Sequence, residues 1–247
     1  MMKSLDYFNQ VTQQLETQFK EEHAHILEAA TLMSEAILHD GLIHVFGSGH
    51  SQMFGLEMFY RSGGLVPVNA LLYPQMSVVP HALLSSTFER LEGWADQALE
   101  FETISNHDVF ILSSVSGRNG SVVDMALAAK KRGCKIIALT SLAYSNEVPS
   151  RHSSGLKLKD LADILIDLKC PLGDATCSIE GLESKFAPTS SVLGLAIINA
   201  LVAQVVENCM ERNIEPPVWV SANLESGKGE LINKQYVKKY ASKIRFL

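Results

Sequence analysis

The chain has 247 residues, enough for one large domain or one domain with extensions, and its 47% hydrophobic and 19% charged content excludes intrinsic disorder. The 27 Asp and Glu against 21 Lys and Arg leave a net charge of −6, which argues against a nucleic-acid partner. Four cysteines, Cys134, Cys170, Cys177 and Cys209, form no C-x-x-C pair, the pattern of reduced thiols in a cytosolic protein rather than of disulfides or a zinc cluster.

Residues 1–22 mix acids, amides and apolar residues and lack the apolar core of a signal peptide. No stretch reaches the ~18 consecutive apolar residues of a membrane span, so a cytoplasmic protein with no membrane partner is expected. From Leu5 to Leu38 apolar residues recur at helical spacing, which predicts one long helix or two with a break near His23. Asp40-Gly41 ends it, and 42–46 reads as a buried strand. Further short β-rich runs at 65–70, 109–112, 135–139 and 164–168 alternate with helical stretches such as 122–132, the pattern of a parallel sheet covered by helices on both faces. A long apolar helix is expected over 192–209, and a solvated basic helix at the C-terminal end. The expected organisation is a helical extension over 1–40, one α/β domain over 41–212 and a tail over 213–247.

Two loops carry the chemistry. The first strand runs into Gly47-Ser48-Gly49-His50-Ser51 ahead of a helical pattern, so that backbone N–H groups and a helix start would face an anion. Gln52 stands where a Rossmann fingerprint needs its third glycine, and no P-loop pattern exists, which disfavours dinucleotides and nucleoside triphosphates. The third strand enters a second loop rich in Ser and Gly, 113–121, before the helix at Val122. Two such loops at the C-terminal ends of parallel strands would face one crevice and cradle one phosphate.

The segment 113–141, SSVSGRNGSVVDMALAAKKRGCKIIALTS, resembles the central segment of the SIS (sugar isomerase) domain family. Residues 47–51 resemble that family's first phosphate loop, as in phosphoheptose isomerases, and Ala187-Pro188-Thr189-Ser190-Ser191 its third signature. The resemblance implies a three-layer α/β/α sandwich with a five-stranded parallel sheet, flavodoxin-like, a small-molecule sugar phosphate as ligand, and a homodimer or homotetramer. It makes Ser51, Ser114, Ser116 and Asn119 the phosphate contacts, with Gly47, Ser48, Gly49, Gly117 and Thr189 completing the cradle. Asn119 stands where the family usually has Ser or Thr. Arg118 either adds a bidentate charge to the phosphate or lies in solvent.

Sugar isomerisation needs a base that removes a proton beside a carbonyl and an acid at the carbonyl oxygen. Leu91-Glu92-Gly93-Trp94-Ala95-Asp96 is similar to a catalytic motif of N-acetylmuramic acid 6-phosphate etherases, which makes Glu92 the first candidate. Glu183 is the second, Glu180 a weaker one, and His50 and His81 are candidate proton shuttles. Arg61 replaces a glutamate that phosphoheptose isomerases carry ten residues after the loop serine, with Glu57 nearby as a substitute. His23 and His25 point in different directions on a helix, so no metal is expected, and no cofactor. The resulting expectation is a phosphosugar aldose–ketose isomerase, with an etherase-like lyase or a non-catalytic phosphosugar sensor as alternatives. Residues 221–227, polar and glycine-bearing, are a candidate lid.

Overall fold

The computed structural model describes residues 2–221 and 228–247. Helix α1 (Lys3–Leu38) is continuous through His23, because the apolar stripe that includes Val11, Ile26, Ala29, Ala30 and Met33 never leaves the buried face. The chain then alternates: β1 (Ile43–Gly47), α2 (Gln52–Met58), β2 (Val68–Ala70), α3 (Val78–Phe88), α4 (Ala95–Ala98), β3 (Val109–Ser113), α5 (Gly120–Lys131), β4 (Lys135–Thr140), α6 (Leu142–Glu147), α7 (Leu158–Leu161) and β5 (Ile164–Asp167). A hairpin of β6 (Ala175–Cys177) and β7 (Phe186–Pro188) precedes α8 (Ser190–Glu211), and α9 (Lys228–Tyr240) follows.

The first five strands form one parallel sheet in the order β2-β1-β3-β4-β5. Its two faces sort the side chains by period two. Ile43, Val45, Ile111, Ile137 and Leu139 pack with α1, α2 and α8 on one face, whereas Phe46, Phe110, Leu112, Ile136 and Ala138 pack with α4, α5 and α7 on the other. The result is the three-layer α/β/α sandwich with five parallel strands that the resemblance implied. Helix α8 is long and apolar enough to cross a membrane by length and composition, but Leu193, Ile197, Ile198, Leu201 and Val205 are buried in the first of these clusters.

Three local expectations change. The second strand begins only at Val68, because Pro67 has no N–H to donate to a ladder; Val66 instead donates to Pro217 O at 2.7 Å. The β6–β7 hairpin was not expected, its strands being three residues each. The basic C-terminal end is docked by one face, while Lys234, Lys238 and Lys239 stay exposed. Tyr240 and Ile244 are buried with Leu42, Val66 and Trp219, Lys239 and Lys243 pair with Asp40 at 2.9 and 2.5 Å, and Arg245 reaches the buried Glu102 carboxylate at 3.0 Å. This segment covers the N-terminal ends of β1 and β2. Residues 222–227 of the candidate lid lie outside the described residues.

Candidate functional site

Strand order reverses between β1 and β3, and ligands of open α/β sheets bind beyond the C-terminal ends of strands at such a point. Here a cavity of about 420 Å³ opens, lined from the β1 side by Ser48, Gly49, His50, Ser51 and Phe54 and from the β3 side by Ser114, Val115, Ser116 and Asn119. Val78, Ala82, Ser85, Ser86 and Glu89 line it from α3 and its end, Asp174, Pro188, Ser190 and Ser191 from the 170–191 segment, and Tyr144 from α6.

The loop glycines are fixed by crowding and backbone shape. A Cβ on Gly47 would lie 2.6 Å from Ser51 Cβ, so the chain turns tightly enough to bring Ser51 back over the strand end. Gly117 has φ +62°, and a Cβ there would also meet Thr140 Oγ1 at 2.9 Å. Ser114 is nearly buried and its Oγ accepts from Gly117 N at 3.2 Å. Neither Ser51, which precedes α2, nor Asn119, which precedes α5, caps its own helix with a side-chain hydrogen bond. Backbone acceptors take some of the first N–H groups instead, Gln52 N donating to Gly49 O ahead of α2 and Ser121 N to Glu89 O in α5, while the positive end of the α5 dipole remains at the cavity. Asn119 Oδ1 accepts from Arg151 Nη1 at 2.9 Å, which leaves its amide N–H groups for the cavity side.

Of the residues singled out in the sequence, Ser48, Gly49, His50, Ser51, Ser114, Ser116 and Asn119 line the cavity. Gly47, Gly117 and Thr189 do not line it; Gly47 and Gly117 form the turns behind it, and Thr189 is fully buried with no protein partner for its Oγ1. Glu92, Glu183 and His81 are also absent from its wall. Glu92 is exposed and accepts from Ser153 N at 2.9 Å and Ser153 Oγ at 2.5 Å, and these bonds, with His152 nearby, hold its carboxyl below the usual range. Glu183 and Glu180 are exposed between β6 and β7, and His81 is exposed on α3 with its Nδ1 accepting from Leu84 N at 3.2 Å. Glu57 pairs with Arg61 and Asn199 outside the cavity. Asp96 is an ion-pair partner of Lys131 and Arg132.

Two carboxyl groups do line the cavity, Glu89 and Asp174, and the sequence singled out neither. Glu89 follows the last turn of α3, is half-buried, and lies 3.4 Å from Ser48 Oγ. Burial pushes its pKa up, against smaller lowering effects of Ser48, Arg90 and Arg151. Its backbone is fastened to the second loop, since Ser121 N in the first turn of α5 donates to Glu89 O at 3.0 Å. The cavity thus joins a cluster of neutral hydrogen-bond donors suited to an anion to a carboxyl group, Glu89, that burial makes more basic than an exposed one.

A family model described as the SIS domain matches residues 6–141, more than half of the chain. The chain belongs to the SIS domain family. Among SIS relatives, a UPF0309 protein of Geobacillus kaustophilus is 40% identical over 241 residues, covering 98% of this chain and 95% of its own. A UPF0309 protein of Caldanaerobacter subterraneus is 38% identical over 244 residues, covering 98% of both. A phosphoheptose isomerase from Francisella tularensis superposes with a TM-score of 0.55 at 17% identity, covering 83% of this SIS chain and 97% of its own. The Vibrio vulnificus NanR protein, complexed with ManNAc-6P, superposes with a TM-score of 0.50 at 16% identity, covering 86% and 65%. At these identities the two structures share the SIS fold with this chain. The family match ends at Ser141, so α8 and the 170–191 wall of the cavity lie beyond it.

Proposed function

We propose that this SIS protein binds a sugar phosphate in the cavity at the β1/β3 switch point and interconverts its aldose and ketose forms. In this reading Ser51, Ser114, Ser116 and Asn119, with the N–H groups ahead of α2 and α5, hold the phosphate. Glu89 takes the proton from the carbon beside the carbonyl and returns it to the neighbouring carbon through an enediol. The observation that carries the reading is the half-buried Glu89 carboxyl beside Ser48 in the phosphate cavity, with its pKa raised by burial. A base raised toward operating pH combines an adequate ionised fraction with basicity. His50, exposed at the rim of the same cavity, is the candidate for handling the carbonyl oxygen.

The test is exchange of the carbon-bound proton with solvent deuterium, followed by NMR over a panel of aldose and ketose phosphates. The wild type is expected to exchange and isomerise at least one of them. Glu89→Gln is expected to lower kcat by about 10²–10⁴-fold while retaining ligand-induced thermal stabilisation. Absence of exchange and turnover across the panel overturns the isomerase, and stabilisation by ligand without any turnover selects the sensor. Large exposed apolar side chains on α1, Phe8 at 69% and Phe19 at 64%, support a homodimer or homotetramer, which a light-scattering mass tests.

A further inference from the structure

The 170–191 wall of the cavity carries a carboxylate that the proposed reaction does not use. Asp174 sits between β5 and β6 with φ +62°, a left-handed backbone that aspartate tolerates better than most residues. Its Oδ1 accepts from Ser190 N at 2.8 Å and from Thr189 N at 3.2 Å, and its Oδ2 accepts from Ser190 Oγ at 2.5 Å. The side chain therefore sits at the start of α8 and takes its first N–H, in a helix whose 22 residues make it the longest beginning at this cavity. The starts of α2 and α5 carry no such side-chain cap. At the start of α8 alone among these three the cavity wall thus carries an anion of the protein's own.

We propose that Asp174 is a specificity residue that restricts the site to sugars bearing a single anionic group. This inference rests on the phosphosugar reading and names its substrate class. A ligand phosphate at the β1 and β3 loops meets free donors. A second phosphate or carboxylate reaching toward α8 meets the Asp174 carboxylate in place of backbone amides, and like charges in one confined space repel. A sugar hydroxyl at the same place is accepted, because a carboxylate oxygen with one donor retains a free lone pair for an O–H. Repulsion of the wrong ligand, rather than attraction of the right one, is what Asp174 supplies.

The test measures binding of fructose 6-phosphate and fructose 1,6-bisphosphate by calorimetry at fixed ionic strength, in the wild type, Asp174→Asn and Asp174→Ser. Asp174→Asn keeps an acceptor oxygen for the α8 start and tolerates the left-handed backbone, and thermal unfolding checks that both variants fold. The wild type is expected to prefer the monophosphate by about tenfold or more, and the variants to reduce that preference by about tenfold, equivalent to ~1.4 kcal/mol. A purely structural cap would change both affinities alike and leave the ratio intact. A wild type that binds the two ligands equally, or an unchanged ratio in the folded variants, overturns the proposal. A wild type that gains no ligand-induced stabilisation from any sugar phosphate of the aldose and ketose panel overturns the phosphosugar reading itself.

Discussion

At Gly194 a methyl group would stand 2.3 Å from Phe54 Cζ, so α8 passes α2 at a distance only glycine allows. Phe54 lines the cavity, which links this contact to ligand binding. Gly194→Ala is expected to cost about 1–3 kcal/mol by overpacking and to weaken phosphosugar affinity, measured by urea denaturation and calorimetry. Glu89 gives a second expectation. Its folded pKa lies above the unfolded one, so the folded state binds more protons between the two values, and Glu89 lowers stability as pH rises through that window. Glu89→Gln is therefore expected to be more stable than the wild type at neutral pH. The gain should vanish below the ordinary glutamate range, as urea denaturation at both pH values would read, and the acid limb of the wild-type activity profile should lie above that range. The residues of both loops were legible in the sequence because glycine and serine announce turns wherever they fall. Glu89 was not, since its partner Ser48 lies 41 residues away. Glu92 lies three positions further on, about one turn of a helix, but the helix ends at Phe88 and the chain turns at Gly93, and Glu92 meets Ser153 instead.

Between elements, the joint at Asp108 is the most consequential. Its carboxylate accepts from Leu42 N and Ser105 N at 2.8 Å each and contacts His44 Nε2 at 3.0 Å, tying the start of β1 to the start of β3. Burial raises its pKa, but the hydrogen bonds from His44, Ser105 and Leu42 outweigh that and hold it below the usual carboxylate range. A depressed folded pKa contributes stability above the unfolded value, and the contribution is lost as pH falls through the folded one. Asp108→Asn is expected to cost roughly 2–4 kcal/mol near neutral pH, a gap that closes in strong acid, measured by guanidinium denaturation across pH. The five sheet strands were legible because each is a short apolar run buried on both faces. The β6–β7 hairpin was not, because three residues, Ala175, Thr176 and Cys177, are too short a run to read as a strand, and the pairing of Ala175 with Pro188 and of Cys177 with Phe186 is set by the chain around them.

Across the whole molecule the sheet has a ligand end and a structural end. The end of α9 and the segment after it close the structural end, burying Tyr240 at 3% and Ile244 at 2% exposure against Leu42, Val66 and Trp219. Truncation before Tyr236 removes both anchors, worth ~1.5–3 kcal/mol each, and uncovers their apolar partners. It is expected to lower stability by several kcal/mol by denaturant titration while leaving every cavity-lining residue in the chain. Nothing in the sequence of the basic end separates a solvated helix from this docked one, because the deciding partners, Asp40 and Glu102, lie more than a hundred residues away.

The hydrogen bond from Ser121 N to Glu89 O also works at this largest scale. It joins the backbone that carries the acid to the start of α5 behind the cavity-lining Asn119, so the two cannot drift apart independently. Their separation is a gauge of fixed span. In the proposed reaction, sugars are then sorted by how many carbons lie between the phosphate and the reacting centre, a measurement of length made before any hydroxyl is read.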